Sequence, residues 1–392
     1  MSLIWIAFLG VFYYFWDASV RFFCRRNIAN IDKRQILFVR PDSVGDFIVW
    51  LDAARHLRSV FPATKFNLSL IGSREWAELA KKFDYWDVVI EVDRRKFLYH
   101  PLYRWSFLRM IYHHNYDCVI HPVFSRFLLV GEAMVRSSAA RKRIGWEIYR
   151  DLNSPFFFNW KKRITESWYT RRVPLDRRRL GEQEKNIQFL GDLGLNNIAP
   201  SIPRLPKDML PPHGFNLPAN YFVVVPDALW EGREWPLSRF WTVAEDLWRK
   251  TGWTAVFLGV RREVAVQLKA VIDHGKAVDL IGRTSLMQYL AIISGARLVI
   301  GNESSAIHAA NALDIPAVTI AGGGHWGRFV PYIHEGTDRR PVVVHEYMEC
   351  YCCDWQCKYP SDKGPVLCID RIAIKEVTQA IESAIREGNG HT

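Results

Sequence analysis

At 392 residues the chain is longer than one hydrophobic core usually sustains, so two domains are expected. Hydrophobic residues make up 49% and charged residues 24%, which excludes a disordered or fibrous chain. The net charge of +11 is concentrated: residues 141–180 hold twelve Lys/Arg against four acids, interleaved with Phe156, Phe157, Phe158, Trp160, Trp168 and Tyr169. Such a block suits an anionic surface, a lipid headgroup layer at least as well as single-stranded nucleic acid.

Leu3–Trp16 is uncharged and aromatic, and Asp17 and Arg21 interrupt it before Arg25 and Arg26. Fourteen helical residues span roughly 21 Å, short of the roughly 30 Å hydrocarbon core. No basic leader and no small-residue cleavage site accompany it, so residues 1–27 are expected to be an interfacial anchor, with a single tilted span as the alternative. On this reading residues 1–26 are dispensable for donor binding, because the first strand begins only at Gln35.

A βα alternation follows. Gln35–Arg40, Phe66–Ile71, Asp87–Val92 and Tyr116–His121 read as strands, with helices over Asp46–Val60, Arg74–Lys82 and Phe127–Val135. Residues 196–220 carry six prolines and read as a linker. A second alternation has strands at Tyr221–Val225, Thr254–Leu258, Ala277–Leu280, Leu298–Ile300 and Ala317–Ile320, with helices near 238–250, 261–272, 285–294 and 305–313. The expected class is α/β, two Rossmann-like domains (35–195 and 221–345) with a ligand cleft between them, followed by a Cys-rich segment and helix at 346–392.

The strand ends carry the candidate chemistry. Asp46 follows the turn Arg40-Pro41-Asp42-Ser43-Val44-Gly45, where a carboxylate either caps its own helix or accepts a hydroxyl proton. Arg233 lies in the loop after the strand at 221–225 and has a fork suited to phosphate oxygens. Glu263 is placed either to bond a ribose or to sit on an exposed helix surface. Glu303, Ser304 and Ser305 open a helix whose N-terminus favours an anion, with His308 one turn on; an ordinary capped helix has the same pattern. Gly322, Gly323 and Gly324 permit close approach of a ligand to the backbone, and no phosphate-loop spacing of an NTPase is present. Cys350, Cys353, Cys357 and Cys368 either supply four thiolates to a structural zinc or iron or stay reduced and packed in a reducing cytoplasm.

In order, the segments ILFVRPDSVGDFI, VVVPDALWEGREWPLSRF, VDLIGRTSLMQYLAIISGARLVIGNESSAIHAANAL and GRFVPY resemble glycosyltransferase family nine, the heptosyltransferases of lipopolysaccharide assembly, over roughly residues 35–332. The resemblance implies a GT-B fold and an inverting, metal-independent reaction without a catalytic cofactor. It implies Asp46 as the base, and Arg233, Glu263, Thr284, Glu303, Ser304, Ser305 and His308 as donor-binding residues. The partners implied are a nucleotide-diphosphate sugar, such as ADP-heptose, and an anionic glycolipid or cell-envelope glycan.

For that acceptor the basic block offers Arg141, Arg143, Lys161, Lys162 and Arg163. The expected location is the cytoplasmic face of a bacterial inner membrane, and nucleic acid is not an expected partner. Three departures from the family pattern stand out: Glu303 for Asp and Ser305 for Gly, Ala228-Leu229-Trp230 for hydroxyl residues, and the glycine run before His325. They leave two alternatives: a transferase for another nucleotide sugar in capsule or O-antigen assembly, and a catalytically silent glycan- or membrane-binding homologue.

Overall fold

A computed structural model describes residues 3–26, 32–148, 164–174, 180–261, 266, 276–332, 340–359 and 363–389. The chain divides into two compact units, one of Met1–Phe47, Ala53–Arg178 and Lys185–Ile198, the other of Ile48–Asp52, Arg179–Glu184 and Ala199–Thr392.

The first unit is built on six parallel strands: β1 (Arg34–Arg40), β2 (Phe66–Ser73), β3 (Val88–Val92), β4 (Cys118–His121), β5 (Lys142–Trp146) and β6 (Arg171–Val173). Their order is β3-β2-β1-β4-β5-β6. β1 reads as an uninterrupted apolar run because, from Ile36 onward, it is buried along its length. The second unit repeats the plan with β7 (Tyr221–Val225), β8 (Thr254–Phe257), β9 (Ala277–Asp279), β10 (Val299–Asn302), β11 (Ala317–Ile320) and β12 (Val342–Val344), in the order β12-β11-β10-β7-β8-β9. Both are the doubly wound order. In each, the chain reverses its direction of travel between two central strands, β1 and β4 or β7 and β10, and the carboxyl ends there form a crevice suited to ligands.

The N-terminal segment differs from the expectation. It is one helix, α1 (Leu3–Phe23), and Asp17 does not interrupt it. Leu9, Tyr13 and Val20 enter the core of the first unit, and the Tyr13 hydroxyl donates to the Leu98 carbonyl at 2.9 Å. Asp17 is buried and takes two hydrogen bonds from Arg104, at 2.7 and 2.6 Å. Arg104 belongs to the helix Pro101–His114 and also stacks on Tyr13, 4.1 Å from the ring centre. Burial raises the Asp17 pKa, and the Arg104 partner opposes that rise. Among the described residues no helix is long and apolar enough to cross a membrane, so the tilted-span alternative for α1 is set aside.

Other differences are local. The helix expected over Asp46–Val60 runs Val44–Ala54 and resumes at Leu57–Val60. The helix expected over Phe127–Val135 begins as a π-helical turn, Leu128–Glu132, and continues as Ala133–Ser138. In the second unit, the helix Ile374–Asn389 places Val377, Ala380, Ile381 and Ala384 in the core that also receives Met348, Val366 and Cys368.

Candidate functional site

Asp46 lies in the first turn of the helix that leaves β1. The Ser43 hydroxyl donates to its carboxylate at 2.5 Å, and Arg40 donates to its carbonyl at 3.2 Å while pairing with Asp42 at 3.0 Å. The carboxylate is half-buried and held at the crevice of its sheet.

In the second unit Arg233 closes a short 3-10 turn after β7. It donates to the Glu303 carbonyl at 3.0 Å, lies 3.3 Å from the Glu303 carboxylate, and stands 4.7 Å over the Trp355 ring. Glu303 is buried; burial raises its pKa, and Arg233, His325 and Arg328 pull it back. Ser304 caps the helix Ser305–Ala312 by position but makes no cap hydrogen bond, and its hydroxyl oxygen is buried without a partner. A buried hydroxyl lacking a partner beside a helix N-terminus and an arginine fork is suited to an anion's oxygens. Ser305 stands beside the buried Tyr289 phenol. His308 is buried against the Tyr332 hydroxyl at 2.5 Å, and burial, with repulsion from Arg233, lowers its pKa to about 4. At neutral pH it is an uncharged hydrogen-bonding group in the first turn of the Ser305–Ala312 helix.

Thr284 is half-buried and precedes Ser285, which forms a capping box with Gln288. Glu263, Lys161, Lys162 and Arg163 lie outside the described residues. Arg141 is exposed beside β5, and Arg143 is half-buried, donating to the carbonyls of Ala140 and Trp168.

Three features escaped the sequence. Asn302 is buried at the end of β10, donating to the Pro226 carbonyl at 2.7 Å and accepting from the Trp235 amide at 3.0 Å, so it ties both crevice loops together. Asp227 is buried and accepts from the amides of Val260 and Arg261 at 2.7 and 3.1 Å. Gly259 leaves room for it: a Cβ there would lie 2.6 Å from the Asp227 carboxylate. The third corrects the reading of Gly322–Gly324. Side chains at these positions would run into the rings of Tyr351 and Trp355, so the glycines admit the Cys-rich segment and not a ligand. That segment also donates from the Cys352 and Asp354 amides to the carbonyls of Gly323 and Gly324, at 2.6 and 3.0 Å. Since Trp355 carries Arg233, it forms one wall of the arginine's setting.

Cys350, Cys353, Cys357 and Cys368 line one small cavity of about 10 Å³. Burial and the neighbouring sulfurs push the Cys357 thiol up to about 11. Four sulfurs around one small cavity fit a soft divalent ion in kind and number. Among the described residues, however, no group of three or more His, Cys, Asp or Glu side chains is placed to hold a metal ion.

Two six-stranded parallel sheets, each in the doubly wound order, are the architecture of the GT-B fold. Solved structures share this fold. A glycosyltransferase family 9 protein from Veillonella parvula has a TM-score of 0.67 at 19% identity, covering 92% of this chain and 99% of that one. E. coli ADP-heptose lipopolysaccharide heptosyltransferase II has a TM-score of 0.63 at 16% identity, covering 91% and 99%. The iron-containing, dodecameric heptosyltransferase TibC of enterotoxigenic E. coli, in complex with ADP-D-beta-D-heptose, has a TM-score of 0.55 at 15% identity, covering 91% and 77%. The sequence profile of glycosyltransferase family 9 (heptosyltransferase) matches residues 104–350, more than half of the chain, and the chain belongs to that family. Among curated proteins, no sequence matches it.

Proposed function

We propose that the chain is an inverting, metal-independent transferase that moves heptose from ADP-heptose onto a lipopolysaccharide-core or related cell-envelope glycan at the inner face of a bacterial membrane. The observation that carries this reading is Arg233 fixed at the mouth of the Ser305–Ala312 helix, beside the unpartnered Ser304 hydroxyl. Arg233, Ser304, Ser305 and the helix N-terminus bind the donor diphosphate and stabilise the charge that grows on it as it leaves. Glu303 holds Arg233, and Thr284 and Glu263 complete the nucleotide side. Asp46 takes the proton of the acceptor hydroxyl as its oxygen attacks the anomeric carbon from the face opposite the diphosphate. Arg141, Arg143 and Lys161–Arg163 attract the anionic acceptor, and α1 brings the chain to the membrane surface.

Calorimetry with ADP and a panel of nucleotide sugars tests the donor. Arg233→Ala is expected to weaken nucleotide binding by about 1.5–3 kcal/mol, the scale of a hydrogen bond to a charged group. Unchanged affinity removes Arg233 from the site, and preferred turnover of a different nucleotide sugar replaces ADP-heptose as donor. The panel matters because Ala228, Leu229 and Trp230 stand where the family commonly presents hydroxyls.

The same reading includes one structural zinc or iron held by Cys350, Cys353, Cys357 and Cys368, with the thiols drawn inward and deprotonated on binding. Elemental analysis of protein purified without affinity metals is expected to give about one zinc or iron per chain, as a four-thiolate site requires. A metal-free preparation of equal activity and stability overturns it.

A further inference from the structure

Four arginines gather at the carbonyl end of the helix Ala133–Ser138. Arg21 donates to the Arg136 carbonyl, and Arg26 to those of Ser138 and Ala139. Arg136 donates to the Tyr14 carbonyl at 3.0 Å and lies 3.8 Å over the Tyr14 ring. Arg143 donates to the carbonyls of Ala140 and Trp168, both at 2.5 Å. Backbone carbonyls, at a helix end for Arg21 and Arg26 and within α1 for Arg136, account for one or two of the five N–H donors on each guanidinium. Arg104 and Arg126 of the same unit have carboxylate partners. Among the described residues these four have none, and the Arg26 Nε is buried with no partner at all. Burial is the largest effect and lowers the pKa of Arg136, Arg143 and Arg21. Repulsion from Arg21 adds to it at Arg136 and Arg143, and repulsion from Arg26 at Arg21, while Tyr14 and Asp17 oppose it at Arg136 and Tyr112 and Tyr14 at Arg21. Apart from the Asp17 carboxylate, which acts on Arg136 and is itself bound by Arg104, the described residues offer this cluster no anion, so it gains from one supplied from outside.

Arg136 also lines a cavity of about 180 Å³ between α1 and the π-helical turn. The other walls are mainly apolar, among them Val11, Phe15, Leu128, Ile164 and Trp168, and they include the mutually paired Asp17 and Arg104. The outer face of α1 continues that apolar surface to solvent, with Phe15 70%, Phe22 86% and Phe23 80% exposed. A helix that buries Leu9, Tyr13 and Val20 has no packing reason to carry a second aromatic face. Apolar cavity, cationic rim and exposed aromatic rings together match the parts of one amphiphile lying at a membrane interface.

We propose that this surface binds a single anionic phospholipid, its phosphate on Arg21, Arg136 and Arg143 and the start of an acyl chain in the cavity beneath Phe15 and Trp168. The assignment deepens the reading that α1 works at a membrane surface, and two measurements separate them. The full chain is titrated by calorimetry with dihexanoyl phosphatidylglycerol below its micelle concentration, and in parallel with dihexanoyl phosphatidylcholine and with glycerol phosphate. Saturable binding of one phosphatidylglycerol per chain is expected, at least about tenfold tighter than either comparison ligand, the order expected when both a charged and an apolar contact contribute. The double variant Arg21→Gln/Arg143→Gln is expected to lose that margin while keeping the wild-type melting temperature. Arg21 alone, an exposed side chain, serves as the second variant if the double one unfolds.

Flotation on vesicles, with and without one third phosphatidylglycerol, reports the membrane reading separately. Flotation without saturable monomer binding overturns the lipid site and leaves the membrane reading standing. Monomer binding without flotation does the reverse. Equal affinity for the zwitterionic lipid, or for glycerol phosphate, overturns the proposal by removing either the charge or the acyl chain from it.

Discussion

Asp46→Asn is expected to reduce turnover by about 10²–10⁴-fold, the usual contribution of a general base, with donor affinity nearly unchanged. Asparagine has the same shape and keeps an acceptor for the Ser43 hydroxyl, so the turn that binds Asp46 at 2.5 Å stays intact. What it loses is the capacity to take a proton. The described donor-side candidates belong to the second unit, and Asp46 to the first, so nucleotide binding serves as an internal control. Steady-state kinetics with a saturating donor makes the measurement. Turnover within a few-fold of wild type would return Asp46 to the role of a helix-turn carboxylate. Ser43→Ala removes the hydroxyl that orients the carboxylate and should have a smaller effect on turnover.

The second large effect is on stability. Asp17→Ala is expected to destabilise the first unit by about 3–5 kcal/mol, because it strands the buried Arg104 guanidinium without its counter-charge. Two short hydrogen bonds, at 2.7 and 2.6 Å, are lost together. The paired replacement Asp17→Leu with Arg104→Met should recover most of that loss, since no charge remains buried. Urea unfolding followed by tryptophan fluorescence measures both, read as midpoints because two units need not unfold together. A shift below about 1 kcal/mol for Asp17→Ala, the scale of an exposed pair, would mean that α1 is loosely docked. The same geometry makes residues 1–26 part of the first unit's core, so their removal is expected to destabilise that unit even where donor binding by the second unit survives. Removing them takes Leu9, Tyr13 and Val20 out of the core as well as Asp17 away from Arg104.

How much the sequence revealed depended on whether a signal was local. β1, β7 and β11 read correctly because they are buried along most or all of their length and are mainly apolar, with Gln35 and Thr319 the interior exceptions. β5 and β6 escaped because Lys142, Arg143, Arg171 and Arg172 mask two short strands at one side of the sheet. Asp17 looked like the end of an apolar segment because its partner is 87 residues away. Asn302 sits inside a recognised motif, yet its two hydrogen bonds reach loops about seventy residues earlier. The glycines at 322–324 carried the right signal, close approach, but composition does not say what approaches. Position 355 lies in the Cys-rich segment, which was read only for its thiols, so nothing marked Trp355 as the ring under Arg233.

That ring has a thermodynamic consequence. Trp355 packs against Gly324 and carries Arg233, and its own segment, more than a hundred residues downstream of the arginine, is tied to the glycine loop by the Cys352 and Asp354 amides. Local opening of residues 350–357 therefore removes the ring beneath the guanidinium, leaving Glu303 to hold it, and uncovers the glycine loop in the same event. Any ligand that prefers Arg233 in its present position must, by reciprocity, bind more weakly to the opened form and hold the Cys-rich segment closed by the same free energy. Occupancy at the arginine and order in the tail are then two readings of one equilibrium, and slower amide exchange at residues 350–357 becomes a measure of donor binding that requires no turnover.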